Sequence, residues 1–211
     1  MAVKFGRINY EEEASNFNSM HKDGQAIDAL NLKKKDVLDL DKGLEEVTVS
    51  VGWDVTRNGA NADLDIAAFM LNENKRVADI STDVIYFNHM KGEGISLEGD
   101  NLTGAGEGDD ERIQISLSKI PDRIKRIVFV VTIHEAAIKK QTFGMVNNAY
   151  VRLLNRVKNN EEVGVFNLKE HGSTATSVIF SELYKENGSW KYKAIGEGKI
   201  GDLNDMLKLY I

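Results

Sequence analysis

The chain has 211 residues, a formal net charge of −6, one proline and no cysteine. That length suits one ordinary domain with a sizeable apolar core. The acid excess argues against general nucleic-acid binding, which needs lysines and arginines to neutralise phosphates. Without a thiol there is no disulfide, thiolate metal site, cysteine nucleophile or thiol redox couple.

Residues 1–28 are polar, with acids at Glu11, Glu12 and Glu13, and read as an arm. Neither a signal-peptide core nor a bilayer-length apolar run is visible, which points to a soluble, cytoplasmic protein. From Ala29 onward, short apolar segments alternate with Gly, Asn and Asp turns. VTVSVGW, DIAAFML, DVIYF, RIQISL, RIVFVVTI, YVRLL, VGVFNL, SVIFSELY and WKYKAI are each of strand length. Asn187-Gly188 is the pair a tight hairpin turn prefers, because both positions tolerate positive φ. Leu203, Met206, Leu207 and Tyr210 recur at helical spacing, predicting a short helix packed on the body. Many short strands and little helix predict an all-β fold, an antiparallel sandwich of two sheets, over residues 29–211.

Two stretches imitate catalytic motifs. IGEGKIG has the glycine spacing of a dinucleotide-binding turn, but no second strand or distant acid follows, so a bend into the terminal helix is expected. TIHEAAI begins like a zinc-protease helix, yet Ile138 stands where the second histidine belongs. The four histidines show no metal-ligand spacing, and His134 is expected to be structural or solvated.

The acidic residues carry the more specific signal. GDNLTGAGEGDDE (99–111) holds five acidic side chains in a glycine-rich run without lysine or arginine. Its length from Asp100 to Glu111 matches an EF-hand loop, but Leu102, Gly104 and Ala105 break that pattern. Asp63 and Asp65 form a D-x-D whose spacing puts both on one side of an extended segment. Crowded carboxylates repel, and a divalent cation relieves them. Calcium takes six to eight oxygen ligands in adaptable geometry, whereas magnesium keeps more water, and zinc or copper would want sulfur or imidazole. Calcium is the cation expected, with a solvated acidic turn as the alternative for any one loop.

VGWDV, DLDIAAFML, DVIYFN, GDNLTG, GDDERIQISL, IVFVVTIHEA and GSWKYKAIGEG, in that order, resemble the TerD family of bacterial tellurite-resistance and general stress proteins. The resemblance implies a β-sandwich binding calcium at one end, two ions being plausible for so many donors. Mapped onto matching positions, it implies side-chain ligands at Asp63, Asp65, Asp83, Asp100, Asn101, Asp109, Asp110 and Glu111. Leu102 and Gly104 are candidates to add backbone carbonyls; Asp54 and Asn88 lie in matching motifs with a weaker claim. It further implies a non-enzymatic role in the cytoplasmic stress response, with partners among other Ter proteins near the inner membrane surface. The arm has no counterpart in the family pattern, and the insertion KRVADIST leaves the role of Asp79 open. A calcium-dependent membrane-surface adaptor is the second reading, although only Ile95 and Leu97 offer apolar loop tips. A metal-dependent phosphoester hydrolase is the third, weakened by the lack of a basic residue in the acidic loop. Reducing or trapping tellurite with thiolates is closed to a chain without cysteine.

Overall fold

The computed structural model describes residues 30–40, 44–54, 62–99, 108–168 and 172–211. The arm and the loop residues Asp100, Asn101, Leu102 and Gly104 lie outside the described residues.

Among the described residues, thirteen strands form two facing sheets. Sheet I has six strands, in the order β2 (Val37–Asp39), β13 (Ser189–Lys199), β12 (Ser177–Glu186), β9 (Arg126–Ile133), β4 (Leu64–Leu71) and β5 (Val84–Ile85). Sheet II has seven: β1 (Leu30–Asn31), β11 (Glu161–Asn167), β10 (Asn147–Asn155), β3 (Glu46–Asp54), β8 (Glu111–Ser116), β7 (Ile95–Glu98) and β6 (Lys91–Gly92). The pairing is antiparallel as the strand texture predicts, except that β1 runs parallel to β11 over two residues.

Alternation explains the two cores. Val47, Val49, Val51 and Trp53 of β3 face Leu64, Ile66, Ala68 and Met70 of β4 across the main core between the sheets. The intervening Ala67, Phe69 and Leu71 point outward, yet they are equally buried. The helix predicted near the C-terminal end covers them: α3 (Leu203–Leu207) adds Met206 to their cluster. Its start is fixed by a capping box, in which Asp202 Oδ1 accepts from the Asp205 N–H at 2.9 Å and Asp205 Oδ2 accepts from the Asp202 N–H at 3.2 Å. This second cover makes all eight residues of β4 buried, which is why the segment reads as a continuous apolar run.

Asn187 and Gly188 have φ of 52° and 83°, as a two-residue hairpin turn between β12 and β13 requires. The IGEG glycines belong to β13, where the register shifts against β12 and Gly196 has φ of 64°, marking a bulge and not a cofactor turn. The bend into α3 falls at Gly201, whose carbonyl accepts from Thr176 Oγ1 and Ser177 Oγ. DVIYF is a strand only at Val84–Ile85, because Tyr86 and His89 exchange backbone hydrogen bonds and turn the chain. Ahead of it, α1 (Ile80–Asp83) is N-capped by Asp79, whose carboxylate accepts from the Ser81 N–H and hydroxyl, while α2 (Ala136–Lys139) follows β9. Asp79 is thus a capping residue. Ile95 and Leu97, the apolar tips expected on the loops, are instead buried in β7 at 4% and 3% exposure. No helix among the described residues is long and apolar enough to cross a membrane.

Candidate metal centre at the acidic end of the sandwich

The end of β3, the start of β4 and the start of β8 meet at one end of the sandwich. Trp53 of β3 organises that meeting through both its nitrogens. Its indole N–H donates to the Ala62 carbonyl at 2.9 Å, and its backbone N–H donates to Asp110 Oδ2 at 2.9 Å. The Asp110 N–H in turn donates to the Val51 carbonyl. Asp110 therefore sits two hydrogen bonds away from the residue preceding Asp63.

Glu111 opens β8 and shares the inward face with Ile113 and Ile115. Its carboxylate, 1% exposed, crosses between the sheets and accepts from the Ile66 N–H of β4 at 2.8 Å. The site for that bond exists because β5 pairs β4 only at Ala68 and Phe69, so the edge of β4 nearer its start is uncovered by β5. Asp63 and Asp65, at 9% and 7% exposure, flank the same stretch of β4. By alternation they belong to its outer side with Ala67 and Phe69, as the D-x-D spacing predicts. Asp65 Oδ2 lies 3.4 Å from Nδ1 of His134, and the His134 backbone N–H donates to the Asp63 carbonyl. The structural role expected for His134 is this support of the D-x-D.

Asp109 turns away from this group. Its Oδ1 accepts from Nε and Nη2 of Arg152 at 2.9 and 2.5 Å, and Arg112 Nε lies 3.6 Å from Oδ2. Asp83 is in another place altogether. Fully buried next to Val84, which pairs with Phe69, it lies level with Met70, five residues beyond Asp65 along β4. At the rise of an extended strand that is about 16 Å. Its Oδ2 accepts from Arg123 Nη1 at 2.7 Å and its Oδ1 from Thr82 Oγ1 at 3.2 Å. The pairing holds the Arg123 guanidinium pKa above its ordinary value. Asp54 accepts from the Asn148 amide at the surface, and Asn88 sits exposed in the Tyr86–His89 turn.

Of the expected side-chain ligands within the described residues, Asp63, Asp65, Asp110 and Glu111 lie on the segments that meet at this end, Asp63 and Asp65 on the outer side of sheet I and Glu111 between the sheets. Asp109 is adjacent but held by arginine, and Asp83 is remote. Among the described residues no group of three or more Asp, Glu or His side chains is placed so that it could hold a metal ion. The acids at this end are carboxylates, a donor type that suits a hard cation such as calcium, and a hydrogen-bonded carboxylate oxygen keeps lone pairs for ligation. Trp53, Arg152 and Arg123 were not legible as parts of this framework. Their partners lie 57, 43 and 40 residues away, and nothing local marks them.

A two-sheet sandwich carrying buried acids at one end is the class of protein this geometry defines. Within that class, the TerD domain family matches residues 29–210, and the chain belongs to it. It is 43% identical over 181 residues to general stress protein 16U of Bacillus subtilis (strain 168), covering 82% of this chain and 93% of that one. It is 41% identical over 169 residues to tellurium resistance protein TerD of Serratia marcescens, covering 79% and 88%. In structure it resembles a homologue of telluride resistance protein (TerD) from Streptomyces coelicolor A3(2), with a TM-score of 0.66, 23% identity, and 78% and 96% of the two chains covered. That last likeness speaks for the fold alone.

Proposed function

We propose that this protein is a calcium-binding stress-response module of the tellurium-resistance type, working by interaction and not by turnover. The observation that carries the reading is the Glu111 carboxylate, buried between the sheets and fixed by the backbone N–H of Ile66, next in sequence to Asp65. Burying a carboxylate is costly unless it is compensated, and placing several together raises that cost. The residues that would hold calcium are Asp63, Asp65, Asp110 and Glu111, joined from the adjoining loop by Asp100, Asn101 and the carbonyls of Leu102 and Gly104. A pair of ions suits that number of donors. Bound calcium would supply positive charge to these carboxylates. Trp53 and His134 keep the D-x-D and Asp110 in place, so the ordered loops can present one surface to a protein partner, expected among other Ter proteins. The stress role is supported by kinship with general stress protein 16U and TerD.

The test is thermal unfolding in chelator, in excess calcium and in equal magnesium, for the wild type and the Asp63→Ala/Asp65→Ala double variant. At about 100 times the dissociation constant, one site adds about 2.7 kcal/mol. For a domain of this size that is a rise of about 5–10 °C. The double variant should keep its chelator Tm within a few degrees and lose the rise. No rise in metal-free wild type overturns the reading.

A further inference from the structure

Arg152 is a cation built into the acidic end. It projects from β10 on the outer side of sheet II, and its side chain is only 15% exposed. Three of its nitrogens are engaged: Nε and Nη2 with Asp109 Oδ1, and Nη1 with Glu162 Oε2 of β11 at 3.1 Å. Its guanidinium carbon lies 5.4 Å from the centre of the Tyr150 ring. Burial disfavours its charge, but Asp109, by charge and hydrogen bond, outweighs that and holds the guanidinium pKa above its usual value. The Tyr150 hydroxyl, its own pKa pushed up to about 12 mainly by burial, donates to the Gly108 carbonyl at 3.0 Å. A Cβ at Gly52 would meet the Tyr150 hydroxyl oxygen at 2.4 Å and the Gly108 carbonyl at 3.0 Å, so β3 leaves room for this arrangement.

We propose that Arg152 is a positioning residue for the metal centre. It takes the place of a metal ion at Asp109, making Asp109 an anchor and not a ligand, and it holds the C-terminal end of the acidic loop in place before calcium arrives. The inference rests on the calcium reading for its affinity consequence, whereas the anchoring itself requires no metal. A planar fork that meets one carboxylate through two nitrogens and a second through the third is a geometry lysine cannot copy. The anchor leaves Asp110 and Glu111 directed at the backbone N–H groups of Trp53 and Ile66. Preorganisation of this kind lowers the ordering cost of binding.

The experiment compares wild type, Asp109→Asn and Arg152→Lys, with calcium counted by isothermal titration and amide exchange of residues 108–111 followed in chelator. Asp109→Asn keeps an oxygen to accept from Arg152, and should bind as many ions as the wild type. Arg152→Lys should keep the ion count, weaken calcium about tenfold, and speed exchange at Asp110 and Glu111 at least tenfold in chelator. Loss of an ion in Asp109→Asn makes Asp109 a ligand and overturns the proposal. Unchanged exchange in Arg152→Lys overturns it as well. Should the wild type bind no calcium, the calcium reading fails by itself, and the exchange arm still decides the anchor.

Discussion

Replacing Glu111 with alanine removes the carboxylate that spans the two sheets, and its cost can be worked from the structure. The Ile66 N–H loses its acceptor in a buried setting, which costs about 1–3 kcal/mol. One buried methylene, Cγ, goes with it, at about 0.8 kcal/mol. The sum is about 2–4 kcal/mol, or a fall in Tm of about 4–16 °C for a domain of this size. Glu111→Gln is the paired perturbation. It keeps the methylene and a carbonyl acceptor, loses only the difference between a charged and a neutral hydrogen bond, about 1 kcal/mol, and relieves repulsion from neighbouring acids. In chelator, alanine should therefore unfold well below glutamine, with glutamine within about 4 °C of the wild type. With calcium present, both should lose most of the metal-dependent rise. Thermal scans of the three proteins in both conditions supply the check. Equal Tm values for the two variants in chelator would refute the cross-sheet hydrogen bond as a source of stability.

Two further outcomes are expected. Met206→Ala empties the contact between α3 and the outer face of β4, and should cost about 2–5 kcal/mol in chemical denaturation; a loss under 1 kcal/mol would mean that α3 is not packed there. Asp205, held by Lys208 and the Asp202 N–H, and Asp79, held by Ser81, both have pKa values below the ordinary carboxylate range. A depressed folded pKa gives stability that is present above the unfolded value and lost as pH falls through the folded one. Acid titration of Asp205→Asn should consequently show a shallower loss of stability below about pH 4 than the wild type; an identical acid limb would remove Asp205 from the account.

The hairpin at Asn187-Gly188 was legible because its turn chemistry is local and needs no partner. The fully buried β4 was legible as an apolar run, although its second cover, α3, lies more than 130 positions further on. Other features escaped for physical reasons. β1 is two residues long and pairs with a strand over 130 residues away. β6 and β7 are short and interrupted by Gly92 and Gly94, so Ile95 and Leu97 read as loop tips when they are core. Asp83 shares its residue type and its position near a strand with the acids of the end loops. Only the pairing of β5 with the far half of β4 separates it from them. Likewise Asp109 and Asp110 are sequence neighbours with opposite partners, Arg152 and Trp53, a divergence that depends on which way each side chain leaves the backbone.

The outward face of β4 also has a history during synthesis. Phe69 is made about 137 residues before Met206, the side chain that closes over it, and at about 5–20 residues per second that interval lasts roughly 7–30 s. Throughout it, Ala67, Phe69 and Leu71 form a sticky stripe on a nascent chain, with β9 and β12 still arriving to flank them. Such long-range closure slows folding and leaves an aggregation-prone intermediate open to chaperones. The chain would then draw on the cell's folding assistance for the whole of that interval.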